Sequence, residues 1–536
     1  MQTRKPFRIF ACLLSILGAF HYTHGAHAEP LAFLVSGGQR PGANHCDFAK
    51  DIEKANETLK DWSRVQFYAD GPTTAKNAKD VNAVKCDKDG TDQFNLAGRP
   101  VYQRLMPASK TDFAAKFSEI EAALKQQVEN LKPGDPVVLY FTDHGGKPAE
   151  NRLSPSAIIL WGENLSVEQL RQLVGMIPPQ NKVILVNDHC FGGGMLAALK
   201  NSDGTRRAHS CGFSPAHSFE YSYQDQSFMH HARKLKNTAT SPLTFSTVYD
   251  SYRVQPNLNS SPTSVSSDFL NDYFDQHAPN AETQSPQEHL ACATKAQELT
   301  QLKDVRANMA SGAETLLQQR IERLLSNLRE NPAFKGDSKL ATTNEIFARL
   351  EKQKASYLAL DHQRVDLDNQ IQPAKVAYAK SKLGKIFTAW REIQNRISPL
   401  KIELANERTV EGQNRITAKI QDQLSNLSEL DLKVQAVVTS AKAKNKDFAQ
   451  FYQSTAGKPG NPWPAEGLSG FKRIDDEADK LQKELAQTQL FATDLKSLHA
   501  LELLKSRKDI SGILQYLDML ECENTSLDNP ASEGSQ

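Results

Sequence analysis

Lys182-Val183-Ile184-Leu185-Val186-Asn187-Asp188-His189-Cys190-Phe191-Gly192-Gly193-Gly194 is the stretch on which the fold turns. Val183 to Val186 is an unbroken aliphatic run, too short for a helix and closed by polar residues and glycines. Such runs mark strands buried on both faces, as in parallel sheets. A second run of the same kind, Pro136 to Phe141, leads directly into Thr142-Asp143-His144-Gly145-Gly146. Ligands of open parallel sheets bind beyond the carboxyl ends of the strands. Two sets of chemically able side chains are therefore expected on one edge of one domain.

Working outward, Leu31 to Val35 and Val65 to Ala69 read as further strands, with a helical stretch from Phe48 to about Leu59 between them. Phe113, Phe117, Ile120, Leu124, Val128 and Leu131 mark one face of a helix that stops at Pro133-Gly134. Ala208 to Phe213 adds a neighbouring strand. This alternation predicts an α/β domain over 29–278, a mostly parallel sheet flanked by helices. From about Gln287 strand patterns vanish. Stripes such as Leu302, Val305, Met309, Leu316, Leu324 and Leu328, then Ile416, Ile420, Leu424, Leu427 and Val434, then Ile474, Ala478, Leu481 and Leu485 predict a helical bundle or antiparallel coiled coil over 279–524. Breaks are expected at Asn331-Pro332, Pro373, Pro399 and Gly457 to Gly470. The polar tail, 525–536, reads as disordered. Pro256 to Pro286, rich in Ser, Asn and Pro, is the expected domain boundary, and a place where a processing cut is tolerated.

The length of 536 residues calls for more than one folded unit. Residues 1–28 have the layout of a secretory leader: Arg4, Lys5 and Arg8, the apolar run Ile9 to Phe20, and Ala26-His27-Ala28 before a cut at Glu29. Twelve apolar residues fall short of the about 20 that span a bilayer. The expectation is a secreted or periplasmic protein with no integral membrane segment after the leader is removed. The 64 Lys and Arg balance 63 Asp and Glu, so no strong field for nucleic acid is implied. The cysteines beyond the leader, Cys46, Cys86, Cys190, Cys211, Cys292 and Cys522, include no CxxC pair, and neither a structural metal nor a cofactor is expected. Position alone suggests pairing Cys46 with Cys86 and Cys292 with Cys522.

A cysteine attacks a carbonyl as thiolate, so it needs a base, an accessible site, and backbone donors for the developing oxyanion. Cys190 follows a buried strand and precedes three glycines, which permit close approach and free local N–H groups. His144 ends a strand of the same type and is also followed by glycine. Either residue alone reads as well as a buried small hydrophobe or a structural histidine. Their parallel placement points to a catalytic pair. His189 beside Cys190 suggests a metal pair, but adjacent residues on extended backbone face opposite ways.

The run Tyr140-Phe141-Thr142-Asp143-His144-Gly145, then Asp188-His189-Cys190-Phe191-Gly192-Gly193 some forty residues on, resembles the legumain-like and caspase-like cysteine peptidases. Val35-Ser36-Gly37, the loop with Asn44-His45 and the helix with Asp51 also look like legumain, and the resemblance extends over roughly 31–250. It implies a caspase-like sheet, with Cys190 as nucleophile, His144 protonating the leaving amine, and the N–H groups of Gly145 and Cys190 as oxyanion hole. Asn44 resembles the residue that orients the histidine; a one-residue shift puts His45 there, and a turn-forming Asn is the other reading.

Departures fall on specificity. Asn44 and Cys46 flank His45 where legumain has an Arg, and Phe191 follows the nucleophile where it has an acidic residue. Ser214 to Glu220 looks like the substrate-lining segment, which makes Ser214 and Phe191 candidate lining residues. Asp188, Glu220 and Asp225 would form an acidic pocket for Arg or Lys, unless they are solvated loop carboxylates. The partner expected is a peptide or protein substrate. The helical half reads as a docking arm, an oligomerisation or partner-binding element, or a cover. The competing reading is a catalytically silent caspase-like module that binds partners or serves as an envelope structural protein.

Overall fold

The computed structural model describes residues 30–38, 46–72, 82–85, 103–106, 110–146, 156–201, 203–222, 227–238, 242–255, 258–278, 294–331, 342–407, parts of 409–430, and 446–528. The first half begins with β1 Leu31–Ser36, α1 Cys46–Thr58, β2 Ser63–Tyr68, a small parallel pair β3 Asn82–Lys85 and β4 Gln103–Met106, and α2 Phe117–Val128. Next come β5 Val137–Thr142, the ribbon β6 Gly145–Gly146, β7 Ala157–Leu160 and β8 Glu163–Ser166, then α3 Val167–Met176 and β9 Val183–Asp188. A 3₁₀ turn over Gly192–Leu199, β10 Ser210–Ser214, α4 Phe228–Lys236, α5 Phe245–Arg253, β11 Thr263–Ser264 and α6 Val265–His277 close it.

Six strands form the main sheet in the order β11-β10-β9-β5-β1-β2, parallel except for β11. The aliphatic runs are explained by period-two packing on two covered faces. Leu31, Phe33, Val35, Val137, Leu139, Phe141, Val183 and Leu185 meet Ile120 and Leu124 of α2 and Leu170 and Leu173 of α3 on one face. Their alternates Leu34, Val138, Tyr140, Ile184 and Val186 meet Ile52 of α1, Phe228 of α4 and Val248 of α5 on the other. From β1 the chain steps outward to β2, then returns to the opposite side of β1 to lay down β5 and β9. The strand order thus reverses beside the carboxyl ends of β1 and β5, where a crevice opens in such sheets.

The second half is helical: a 3₁₀ segment Thr294–Gln301, α7 Lys303–Asn308, α8 Ala313–Glu330, α9 Thr343–Asn406, α10 Lys446–Thr455, α11 Gly467–Ser506 and α12 Ile510–Glu523. The break at Asn331-Pro332 falls at the end of α8 and that at Gly457 to Gly470 separates α10 from α11, reaching into the first turn of α11, but those expected at Pro373 and Pro399 do not appear. Helix α9 runs through both prolines and bends instead at Gly384, whose φ of 25° and ψ of −91° leave the helical region. A proline deletes one N–H bond and kinks a helix without ending it. Helices α9 and α11 pair antiparallel: Tyr357 bonds Gln482, and Arg364 bonds Asp475. A second cluster of Ile371, Tyr378, Phe448, Tyr452 and Trp463 lies farther along this arm, and Ile393 and Ile397 form another beyond it.

The boundary near residue 279 separates patterns of sequence, not cores. Leu317 and Ile321 of α8, Leu495, Leu498 and Leu501 of α11, and Leu517 of α12 share one buried cluster with the β1–β5–β9 face. The pairing suggested for Cys292 with Cys522 is replaced by Cys211–Cys522, with Cα atoms 5.7 Å apart across 311 residues of sequence. Cys211 lies on β10, facing the α1–α5 side, where the end of α12 reaches it. Cys46 with Cys86 lies outside the described side chains. Buried ion pairs also cross the boundary: Arg253 with Asp494 at 2.7 Å, and Arg320 with Glu523 and Asp250. Removing one partner of such a pair leaves a charge stranded in the core. Nor is the tail disordered from residue 525. Leu527 is fully buried, donates to Leu243 at 2.8 Å and accepts from the Trp62 indole. Among the described residues no helix is long and apolar enough to cross a membrane.

Candidate active site

Strands β5 and β9 are parallel and adjacent, with Thr142 opposite Asp188 as their last pair. His144 and Cys190 each lie two residues beyond that pair. Neighbouring strands are about 4.8 Å apart, so both residues emerge on the same rim. They flank one line of backbone: a Cβ on Gly145 would sit 1.7 Å from the Cys190 carbonyl oxygen, so only glycine fits. Gly192 is required by similar crowding, since a Cβ there would lie 2.5 Å from Ser214 Oγ.

Two devices hold the histidine. Its ring meets Phe48 of α1 edge-on, centroids 4.9 Å apart, and its carbonyl accepts from the Ile159 N–H at 3.0 Å. Its own N–H donates to Asp143 Oδ1 at 2.6 Å, while Asp143 Oδ2 receives the N–H groups of Gly37 and, at 2.7 Å, Gly38. One buried carboxyl thus ties the end of β1 to the end of β5 at the place where strand order reverses. Asp143 is a site residue that motif reasoning misses; its place directly before His144 is the available signal.

Burial pushes the Asp143 carboxyl up to about 7, against three backbone N–H groups that favour its charge. The folded protein therefore holds this proton to higher pH than the unfolded chain. The resulting stability is complete below about pH 4 and lost as pH rises through about 7. Urea midpoints at pH 5 and 7.5 test this: wild type is expected to lose about 2–3 kcal/mol more across that interval than Asp143→Asn, which cannot titrate.

Cys190 is half-buried and free, and its Sγ lies 3.6 Å from the Ser222 carbonyl oxygen. Burial pushes the thiol up from its ordinary range; hydrogen bonds with the backbone of Ser222, of Cys190 itself and of Gly145 pull the other way. Two of the three backbone groups that bear on the sulfur, those of Cys190 and Gly145, are the ones expected as oxyanion donors. The glycine N–H groups expected to be free are not. Gly192 donates to His189, Gly193 to Ala216 and Gly194 to Phe191, so these bonds fix the turn rather than await a ligand. His189 is buried, with Nδ1 2.8 Å from the Cys190 carbonyl. A carbonyl only accepts, so that nitrogen carries the proton, and burial brings the imidazole down to about 4. It remains neutral near pH 7. Among the described residues no cluster of three or more His, Cys, Asp or Glu is arranged for a metal.

The expected substrate-lining set is largely turned inward. Asp188 is buried beneath the rim and accepts from the Tyr140 hydroxyl at 3.1 Å and the Phe228 N–H at 2.8 Å. Burial first, then the Asp51 charge, push its carboxyl well up. Asp51 is itself buried, bonded to Ser227, Thr142 and Lys54. Glu220 is fully buried and accepts from the Ser261 N–H and hydroxyl at 2.6 and 2.8 Å. An acidic pocket built on Asp188 and Glu220 is therefore not formed: both carboxyls serve internal hydrogen bonds. Ser214 is buried in a turn with Ala216, and Phe191, at a left-handed φ of 60°, stacks edge-on against Tyr221. Asn44, His45 and Asp225 lie outside the described residues. The residue found at the thiol instead is Ser222, through its backbone, which no side-chain motif could have indicated. A separate cleft of about 380 Å³ opens between the sheet half and the arm, lined by His217, Phe219, Lys354 and Lys496 among others; neither Cys190 nor His144 lines it.

No family model matches the chain, and neither does any curated protein. Among solved structures, the protein GSU0716 of Geobacter sulfurreducens aligns over 44% of this chain and 92% of its own at 12% identity and a TM-score of 0.27. A likeness that low carries no argument about fold or function.

Proposed function

We propose that this chain is an exported cysteine endopeptidase of the legumain-like and caspase-like kind it resembles. The Cys190 thiol passes its proton to His144 and its sulfur attacks the scissile carbonyl carbon, whose oxygen takes up negative charge between the N–H groups of Gly145 and Cys190. His144 gives a proton to the amine as the C–N bond breaks, leaving a thioester. It then takes a proton from water, whose oxygen displaces the sulfur. Asn44 is the residue assigned to orient the imidazole. The observation that carries this reading is the parallel register: Thr142 faces Asp188, and His144 and Cys190 come next at equal offsets. The Cys211–Cys522 bond supports the exported destination, secreted or periplasmic, because disulfides persist in oxidising compartments. A peptide or protein is the substrate, and no cofactor takes part.

The test is covalent capture. The purified mature protein, incubated with a panel of peptide acyloxymethyl ketones differing at P1, is expected to be labelled at Cys190 by at least one member. Absence of labelling at that residue across all P1 side chains would reject the enzyme reading. One observation favours the alternative of a silent, partner-binding module: burial pushes the thiol up, which favours the unreactive S–H form.

A further inference from the structure

Ser222 reaches the thiol from a turn that the sheet half does not hold by itself. Tyr221, the residue before it, offers its carbonyl oxygen to Gln482 Nε2 of α11 at 3.0 Å. Gln482 is completely buried, and its Oε1 accepts from the Tyr357 hydroxyl of α9 at 2.9 Å, so both ends of the amide are fixed. The Tyr221 ring lies under the Arg364 guanidinium at 4.8 Å and against Phe191, the neighbour of Cys190, at 4.8 Å. Arg364 is itself braced by Asp361 and Asp475. From arm to thiol, every link is thus a named contact between buried or half-buried groups.

We propose that the helical arm forms a wall of the Cys190 site, with Gln482 and its brace Tyr357 acting as positioning residues for the Tyr221–Ser222 turn. The arm is then part of the active unit, not a cover whose removal exposes it. A primary amide suits this role because it donates to the turn and accepts from the brace at once. Hydrogen bonds hold the carbonyl against the thiol, and small displacements at a reacting centre are costly. The inference rests on the peptidase reading only for its substrate readout.

The test uses the full mature chain and three variants, Gln482→Leu, Tyr357→Phe and Leu498→Ala. Leu498 lies sixteen residues along the same helix, about 24 Å from Gln482, and reports loss of arm stability alone. Two quantities are read: kcat/KM on a peptide substrate, and the pH midpoint for alkylation of Cys190 by iodoacetamide. Gln482→Leu is expected to cost about tenfold in kcat/KM. It should also shift the alkylation midpoint by about one pH unit, because the Ser222 backbone that bears on the thiol has withdrawn. Tyr357→Phe, which removes one hydroxyl and keeps the packing, should move both in the same direction by less. Leu498→Ala should lower the urea midpoint and leave the alkylation midpoint where it is. Wild-type alkylation in both Gln482→Leu and Tyr357→Phe, or an equal shift in Leu498→Ala, would overturn the proposal. A wild-type protein without peptidase activity would sink the enzyme reading, while the alkylation midpoints would still decide this one.

Discussion

His144→Ala is expected to lower kcat/KM by about 10²–10⁴-fold, the usual worth of a positioned acid–base group, and Cys190→Ala to abolish turnover. The more telling result is the double variant. A nucleophile and its proton carrier act as one unit, so their losses do not add. Cys190→Ala with His144→Ala should be no slower than Cys190→Ala alone. The shared rim is the physical reason: both residues stand two positions past the Thr142–Asp188 pair, on strands that already touch. Urea midpoints serve as the control, because the His144 ring also packs on Phe48. If His144→Ala retains full kcat/KM, the imidazole is a packing group and the proton must come from elsewhere.

Period-two burial made the sheet legible, because strands covered on both faces leave uninterrupted apolar runs, and β1, β5 and β9 all carry them. The rim was legible for the same reason: once two parallel neighbours are identified, the residues at their carboxyl ends must emerge together. Properties set by distant partners were not legible. Asp188 and Glu220 look like surface carboxylates until the groups that bury them are known, namely the Tyr140 hydroxyl and Phe228 N–H for one and Ser261 for the other. Pro373 and Pro399 signal helix ends, yet α9 continues through both and bends at Gly384 instead. Leu527 sits in a polar tail and is anchored by Leu243 and Trp62, contacts across hundreds of residues.

The change at residue 279 reads as a domain boundary because helices and strands leave different periodicities, and periodicity reports local geometry alone. What joins the halves is the burial of α8, α11 and α12 against the sheet face, together with ion pairs such as Arg253–Asp494. This arrangement makes the arm's near end a third layer on the main sheet. Farther out, Tyr378, Phe448, Tyr452 and Trp463 form a core of their own.

The second large effect expected is on stability. Cys211→Ala together with Cys522→Ala should cost about 2–5 kcal/mol, the range for removing a native disulfide. The bond closes 311 residues of chain, and loop-closure entropy grows with loop length, which places the expected loss toward the upper end of that range. Its location decides what fails first. Cys522 ends α12 and Cys211 sits in β10, the strand beside β9 and its Cys190 terminus. The bond is fully buried, so a reductant should act slowly on the native protein and quickly once urea opens it. Unfolding monitored by two probes, tryptophan fluorescence and alkylation of Cys190, should show both transitions moved to lower urea in the double variant. If the fluorescence transition moves and the Cys190 transition does not, the rim is insulated from the core that the disulfide ties, and the shared-core reading fails. Coincident movement of the two is what a shared core requires, because α12 cannot leave β10 without uncovering the sheet that carries Cys190.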